Sequence, residues 1–107
     1  MIDQDKMEAA MTYLAQTDIE FAEAKAAAEL GEIRRKRCRS RILLTTVGTV
    51  VERQAQAEVH QDVIDADMGW IKDYTRCETL KAKRQRAELV VEVWRSLNAS
   101  MRRGNIT

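Results

Sequence analysis

The sequence predicts an all-α fold, a long antiparallel helical hairpin of coiled-coil type, on three observations. The 107 residues include no proline and only four glycines, too few turn formers for a β-sandwich or barrel. Ala, Glu, Lys, Arg, Leu and Gln dominate, as in long helices, and no strand-like runs alternate with short helical ones as a βαβ fold requires. Apolar or small residues recur at alternating three- and four-residue spacing, the pattern of a seam between paired helices.

The first helix is expected at about 5–41, with Asp5 and Glu8 in capping-box spacing at its start. Its seam reads Met7, Ala10, Leu14, Thr17, Phe21, Ala24, Ala28 and Gly31. Residues 42–49 are expected to be a linker. The β-branched, apolar run Ile42–Val51 reads as an extended segment packed onto the bundle, or alternatively as a short strand against a symmetry mate. The second helix is expected at about 50–103, opened by Thr49 as cap and Glu52 as its partner. Its seam reads Val59, Val63, Ala66, Trp70, Asp73, Leu80, Ala87, Val91, Trp94 and Met101, with Cys77 in the same register. Gly69 falls inside it, where a glycine costs about 1 kcal/mol relative to alanine and either weakens or breaks the helix. Arg102 and Arg103 suit a C-terminal turn, and Gly104 is the expected residue just past its end. Residues 1–107 form a single helical domain on this reading.

Those lengths leave Leu89–Met101 overhanging the shorter first helix. The overhang is apolar more than halfway round, and a two-helix hairpin covers only one stripe. A second chain is therefore expected there, giving a homo-oligomer, most simply a dimer forming a four-helix bundle. Its interface residues are Leu89, Val90, Val93, Trp94, Leu97 and Met101.

The formal net charge is +1, yet charge is strongly patterned. Residues 1–33 carry a net −6, residues 34–41 +6, residues 42–71 −4 and residues 72–107 +5. Folding at residues 42–49 sets each block beside one of opposite sign, which selects an antiparallel arrangement. No run reaches the roughly 18 apolar residues of a membrane span, and the opening MIDQDKMEAA lacks signal-peptide character. A cytoplasmic protein with no membrane partner is expected.

The basic run Arg34, Arg35, Lys36, Arg37, Arg39 and Arg41 is the first candidate site. Clustered guanidiniums neutralise phosphates and release counterions, the basis of sequence-independent nucleic-acid binding. On a helix such a run forms a collar without interleaved aromatics, so a helix end balanced by Glu52, Glu58 and Asp62 is the competing reading. Lys81, Lys83, Arg84 and Arg86 are expected to face the acidic first arm. Glu20 with Glu23, Glu29 with Glu32, and Asp62 with Asp65 each have the spacing to share a divalent metal, as in helical nucleotide pyrophosphohydrolases. Acid-rich helices produce that spacing by chance, so no catalytic residue, metal or cofactor is assigned. His60 reads as a surface imidazole, Trp70 and Trp94 as core anchors, and Cys38 and Cys77 as inert thiols.

Two stretches carry a resemblance: Thr46–Ala55 (TVGTVVERQA), and Val93–Ala99 (VWRSLNA) with Arg102-Arg103-Gly104-Asn105. Together, over about residues 42–105, they resemble small helical proteins of tailed phages and prophages encoded near recombination and single-strand annealing genes. The resemblance implies an association with DNA metabolism and assigns no activity or residue. The leading expectation is a non-enzymatic phage-type accessory protein that contacts DNA, or a DNA-recombination partner, through Arg34–Arg41. The alternatives are an oligomeric scaffold without nucleic-acid binding and, more remotely, a metal-dependent nucleotide hydrolase using Glu20, Glu23, Asp62 and Asp65.

Overall fold

A computed structural model of the chain describes residues 2–106, and side chains as far as Gly104. The fold is all-α: among these residues there are three helices and no strand. They are α1 (Gln4–Thr45), α2 (Val50–Val59) and α3 (Gln61–Ile106). Along α1 the buried or half-buried positions keep the three-four rhythm from Met7 to Ile42, with Arg35 and Cys38 completing it beyond Gly31. Along α3 the same rhythm runs from Val63 to Asn98 and takes in Asp73 and Arg84. Both seams are therefore mostly apolar, with polar residues inserted at a few steps.

The chain divides into two compact units. One joins α1 as far as Ala22 to α3 from Glu78 onward. Its core is Met7, Ala10, Ala87 and Val91, with Tyr13, Leu14, Val90 and Trp94 packed against them. Pairing the start of α1 with the second half of α3 makes the helices antiparallel here. Polar anchoring is concentrated at Arg84, whose side chain is only 13% exposed. Its guanidinium donates to the Leu14 carbonyl (2.9 Å), to Thr17 Oγ1 (2.7 Å) and to the Asp18 carboxylate (2.5 Å), and lies 5.2 Å from the Phe21 ring centre. Thr17 in turn donates its hydroxyl to the Tyr13 carbonyl at 2.7 Å.

The other unit, Glu23–Cys77, holds the rest of α1, all of α2 and the start of α3. Ile42, Ala57 and Val63 form its core, joined by Cys38 and Leu43. Ala24, Ala28 and Cys77 are also buried, and neither cysteine is in a disulfide. Gly31 lets Trp70 approach closely: a Cβ at Gly31 would stand 3.3 Å from the Trp70 Cα.

Local chemistry moves the expected boundaries. At the start, Asp3 rather than Asp5 caps α1, its carboxylate accepting from the Lys6 N–H at 2.9 Å. The run 42–49 is not one linker. Ile42–Thr45 is the last turn of α1, where the Thr45 and Thr46 hydroxyls bond the carbonyls of Arg41 and Ile42 at 2.9 and 2.6 Å. Gly48, at φ 136°, then makes the turn in a conformation that L side chains rarely adopt. The capping box appears as expected, with Glu52 N–H on Thr49 Oγ1 (3.2 Å) and Thr49 N–H on the Glu52 carboxylate (3.4 Å).

The expected second helix is interrupted at His60, an extended residue (φ −70°, ψ 130°). His60 closes α2 through its N–H to the Ala57 carbonyl at 3.3 Å. It opens α3 by accepting the Asp62 N–H on Nδ1 (3.1 Å) and the Ile64 N–H on its carbonyl (3.1 Å). An imidazole thus serves as a helix cap while remaining at the surface, its side chain 41% exposed. The break also removes the expected overhang. The ten residues of α2 and the His60 turn take up the surplus length, so Val91 packs with Met7 and Ala10 instead of running past them. Val59 and Met101, placed on the seam by spacing, are exposed. Gly69 does not break α3, and Gly104 lies within the helix rather than beyond its end.

The two helical glycines predict opposite responses. Among the described residues no atom lies within 4 Å of where a Cβ on Gly69 would stand. Gly69→Ala should therefore raise stability by about 0.5–1 kcal/mol through helix propensity alone. Gly31→Leu must displace the Trp70 backbone and should lower stability by about 1–3 kcal/mol. Urea unfolding followed by circular dichroism reads both.

Candidate functional site

The basic run lies on the last turns of α1 in the Glu23–Cys77 unit, and most of its charge is engaged within that unit. Arg35 is a seam residue. Its guanidinium stacks over Trp70, 4.2 Å from the ring centre, and stands 3.8 Å from the Asp67 carboxylate, while its buried Nε has no acceptor among the described residues. Trp70 also lies against Tyr74, with ring centres 5.4 Å apart. Arg39 donates to the Glu58 carboxylate of α2 at 2.7 Å. Arg41 reaches the Asp62 carboxylate at the start of α3 at 3.5 Å. Lys36 pairs with Glu32 one turn earlier, at 3.0 Å. Arg34 and Arg37 are exposed and make no ion pair or side-chain hydrogen bond among the described residues.

This is the pairing that the block charges call for, with the basic end of α1 against the acids of α2 and early α3. Its effect is on orientation more than stability, since exposed pairs contribute only about 0–1 kcal/mol each. It leaves Arg34 and Arg37 facing solvent without an ion pair among the described residues, with the outer sides of Lys36, Arg39 and Arg41. Lys36, Arg37, Ser40 and Arg41 line a shallow depression with Leu44 and Thr45.

The second basic group behaves differently. In its unit Arg84 is drawn into the seam, whereas Lys81, Lys83 and Arg86 are exposed and make no ion pair among the described residues. The carboxylates considered for metal are not assembled into a site. Asp62 faces Arg41 and His60, Asp65 accepts from Gln61 at 2.7 Å, and Glu20 and Glu23 are exposed on α1. Among the described residues no group of three or more His, Cys, Asp or Glu side chains is placed to hold a metal ion.

The expected interface residues split by environment. Val90 and Trp94 pack against the chain's own core, and Val93 is half-buried. Leu89, Leu97 and Met101 are exposed. Leu89, Val93, Leu97 and Met101 succeed one another at four-residue spacing, so they form one ridge beside the seam. Ile64, Met68 and Ile71 make a shorter exposed ridge on early α3. Sequence spacing did not single out a third apolar surface, the turn between α1 and α2. There Leu44, Val47, Val50 and Val51 are 83, 92, 59 and 74% exposed. The signal was present in the apolar run 42–51, of whose six apolar residues two go inward (Ile42, Leu43) and four outward.

Compared with protein-family models, curated proteins and solved structures, the chain matches none of them.

The ion pairs give a testable contrast. Arg39→Glu sets two carboxylates against each other at Glu58 and should lower the melting midpoint by a few degrees at low salt, with the loss shrinking as salt is raised. Arg37→Glu, with no partner to lose, should leave the midpoint within about 1 °C, in keeping with surface substitutions worth under about 0.5 kcal/mol.

Proposed function

We propose that this chain is a non-enzymatic accessory module that acts by protein association, first with a second copy of itself. The observation that carries this reading is the ridge Leu89, Val93, Leu97 and Met101, of which three members are exposed beside a core of two alanines, a valine and a methionine. Apolar ridges of this kind are rare on isolated soluble chains and mark association surfaces. Like surfaces on two copies can meet about a two-fold axis, burying each ridge in a four-helix bundle. Charge supports the same arrangement. Residues 1–22 carry a net −4 and residues 78–107 a net +4, and Arg84 with Asp18 is an ion pair between the two stretches. Lys81, Lys83 and Arg86, exposed without an ion pair among the described residues, can be matched by the acidic stretch of a second copy.

A second reading keeps the basic run as a phosphate contact. Its support is specific: Arg34 and Arg37 are exposed and unpaired among the described residues, beside Lys36 and Arg41. Two to four contacted phosphates make binding weak, and it should fall roughly tenfold to a hundredfold between about 50 and about 200 mM salt. The likeness to phage proteins encoded near recombination genes accords with either reading, since an assembly module can serve DNA metabolism without touching DNA.

Sedimentation velocity on the full chain separates the two. The association reading expects a dimer at tens of micromolar, and a shift to monomer in Leu89→Glu with Leu97→Glu at unchanged helicity. A wild-type monomer throughout, with salt-sensitive binding to labelled DNA that Arg34→Glu with Arg37→Glu abolishes, would favour the phosphate contact instead.

A further inference from the structure

We infer that the turn between α1 and α2 is a docking tip for an anionic lipid surface. The tip is built as a rigid element. Thr45 and Thr46 cover the last carbonyls of α1, Gly48 reverses the chain, the Thr49–Glu52 capping box opens α2, and Arg53 Nη1 reaches back to the Leu43 carbonyl at 3.4 Å. A turn with its backbone satisfied in this way has no need of apolar side chains, and exposed turns ordinarily carry Asn, Asp, Ser or Gly. This one presents Leu44, Val47, Val50 and Val51 to solvent, Val47 at 92% exposure.

Behind the apolar tip stands positive charge. Between residues 34 and 53 there are seven bases and one acid; Arg35, Lys36, Arg39 and Arg41 each face an acid from outside that stretch, and Arg34 and Arg37 stand exposed without an ion pair among the described residues. Lys36, Arg37 and Arg41 line a shallow depression together with Leu44. At about 1.5 Å rise per residue, Arg41 and Arg37 lie about 4.5 and 10.5 Å back along α1 from Leu44. Peripheral elements bury apolar side chains about 5–10 Å into the boundary between headgroups and acyl chains, so these cations would sit at the depth of the lipid phosphates. Other occupants fit less well. A second copy docked tip to tip brings two sets of these cations together, and a nucleic acid that meets the bases leaves four outward apolar side chains against water or phosphate. No helix among the described residues is long and apolar enough to cross a membrane, so the tip would engage one leaflet from outside.

Vesicle co-sedimentation tests this with the full chain. Vesicles of phosphatidylcholine with about a third phosphatidylserine should pellet the protein, and pure phosphatidylcholine should pellet much less, since each cation near an anionic surface contributes about fivefold in binding. Val47→Asp with Val51→Asp, both at exposed positions, should abolish pelleting while leaving helicity unchanged. Arg37→Glu should weaken it severalfold and make the remaining binding less sensitive to salt. Three results would overturn the inference: no pelleting of the wild type with anionic vesicles; pelleting that survives the double aspartate variant; or a folded double variant that changes only the oligomeric state or DNA binding, which would assign the tip to a second copy or to nucleic acid.

Discussion

Two antiparallel helices can hide one stripe each, and in this chain the stripe is lined largely with small residues. Ala10, Ala24, Ala28, Ala57 and Ala87 are buried, Gly31 admits Trp70, and Val63 is the largest side chain that is fully enclosed. Small seam residues allow close approach but bury little apolar area, at about 25 cal/mol per Å². The larger side chains of the same helices, among them Met11, Ile19, Leu89 and Leu97, remain exposed. With so narrow a core, polar residues inside the seam help to hold its register, and apolar ridges are left uncovered beside it.

The guides are the polar residues inside the seam. Arg84 takes a place that spacing reserves for an apolar residue, and its planar fork reaches a carbonyl, a hydroxyl and a carboxylate together. A slip of one helical turn would strand that guanidinium among apolar side chains, a large penalty for a buried charge. Arg35 is the weaker counterpart in the Glu23–Cys77 unit, with Trp70 below it, Asp67 at 3.8 Å and an unmet Nε. Outside the seams, Arg39 and Arg41 bring α1 to α2 and to the start of α3 by opposite charge. These ion pairs direct the fold more than they stabilise it, and they explain why a run of six cations is not by itself evidence of a nucleic-acid site.

The all-α hairpin was legible because a seven-residue rhythm survives in α1 and α3 despite the inserted Arg35, Asp73 and Arg84. Gly48 and the Thr49–Glu52 pair marked the start of α2 for the same reason, that each has one dominant structural use. The division of the second arm was not legible. His60 breaks the backbone without glycine or proline, and an imidazole capping a helix has no pattern that distinguishes it from an exposed one. An unbroken second helix shifts the pairing of everything after residue 60, so Val90 reads as uncovered surface although it packs on the chain's own core, as does Trp94, which the spacing placed both on the seam and at the interface. The basic run was legible as a cluster, whereas the partners that engage Arg35, Arg39 and Arg41 became evident only once α2 and α3 were in place.

Under the proposed association, the thin seam leaves folding dependent on a second copy. The thermal melting midpoint over a hundredfold range of protein concentration at fixed salt reads that dependence. If folding is linked to dimer formation, a hundredfold rise adds about 2.7 kcal/mol and should lift the midpoint by roughly 10 °C. A midpoint that does not move with concentration would mean that the alanine-lined seam suffices alone, and the association account would be contradicted.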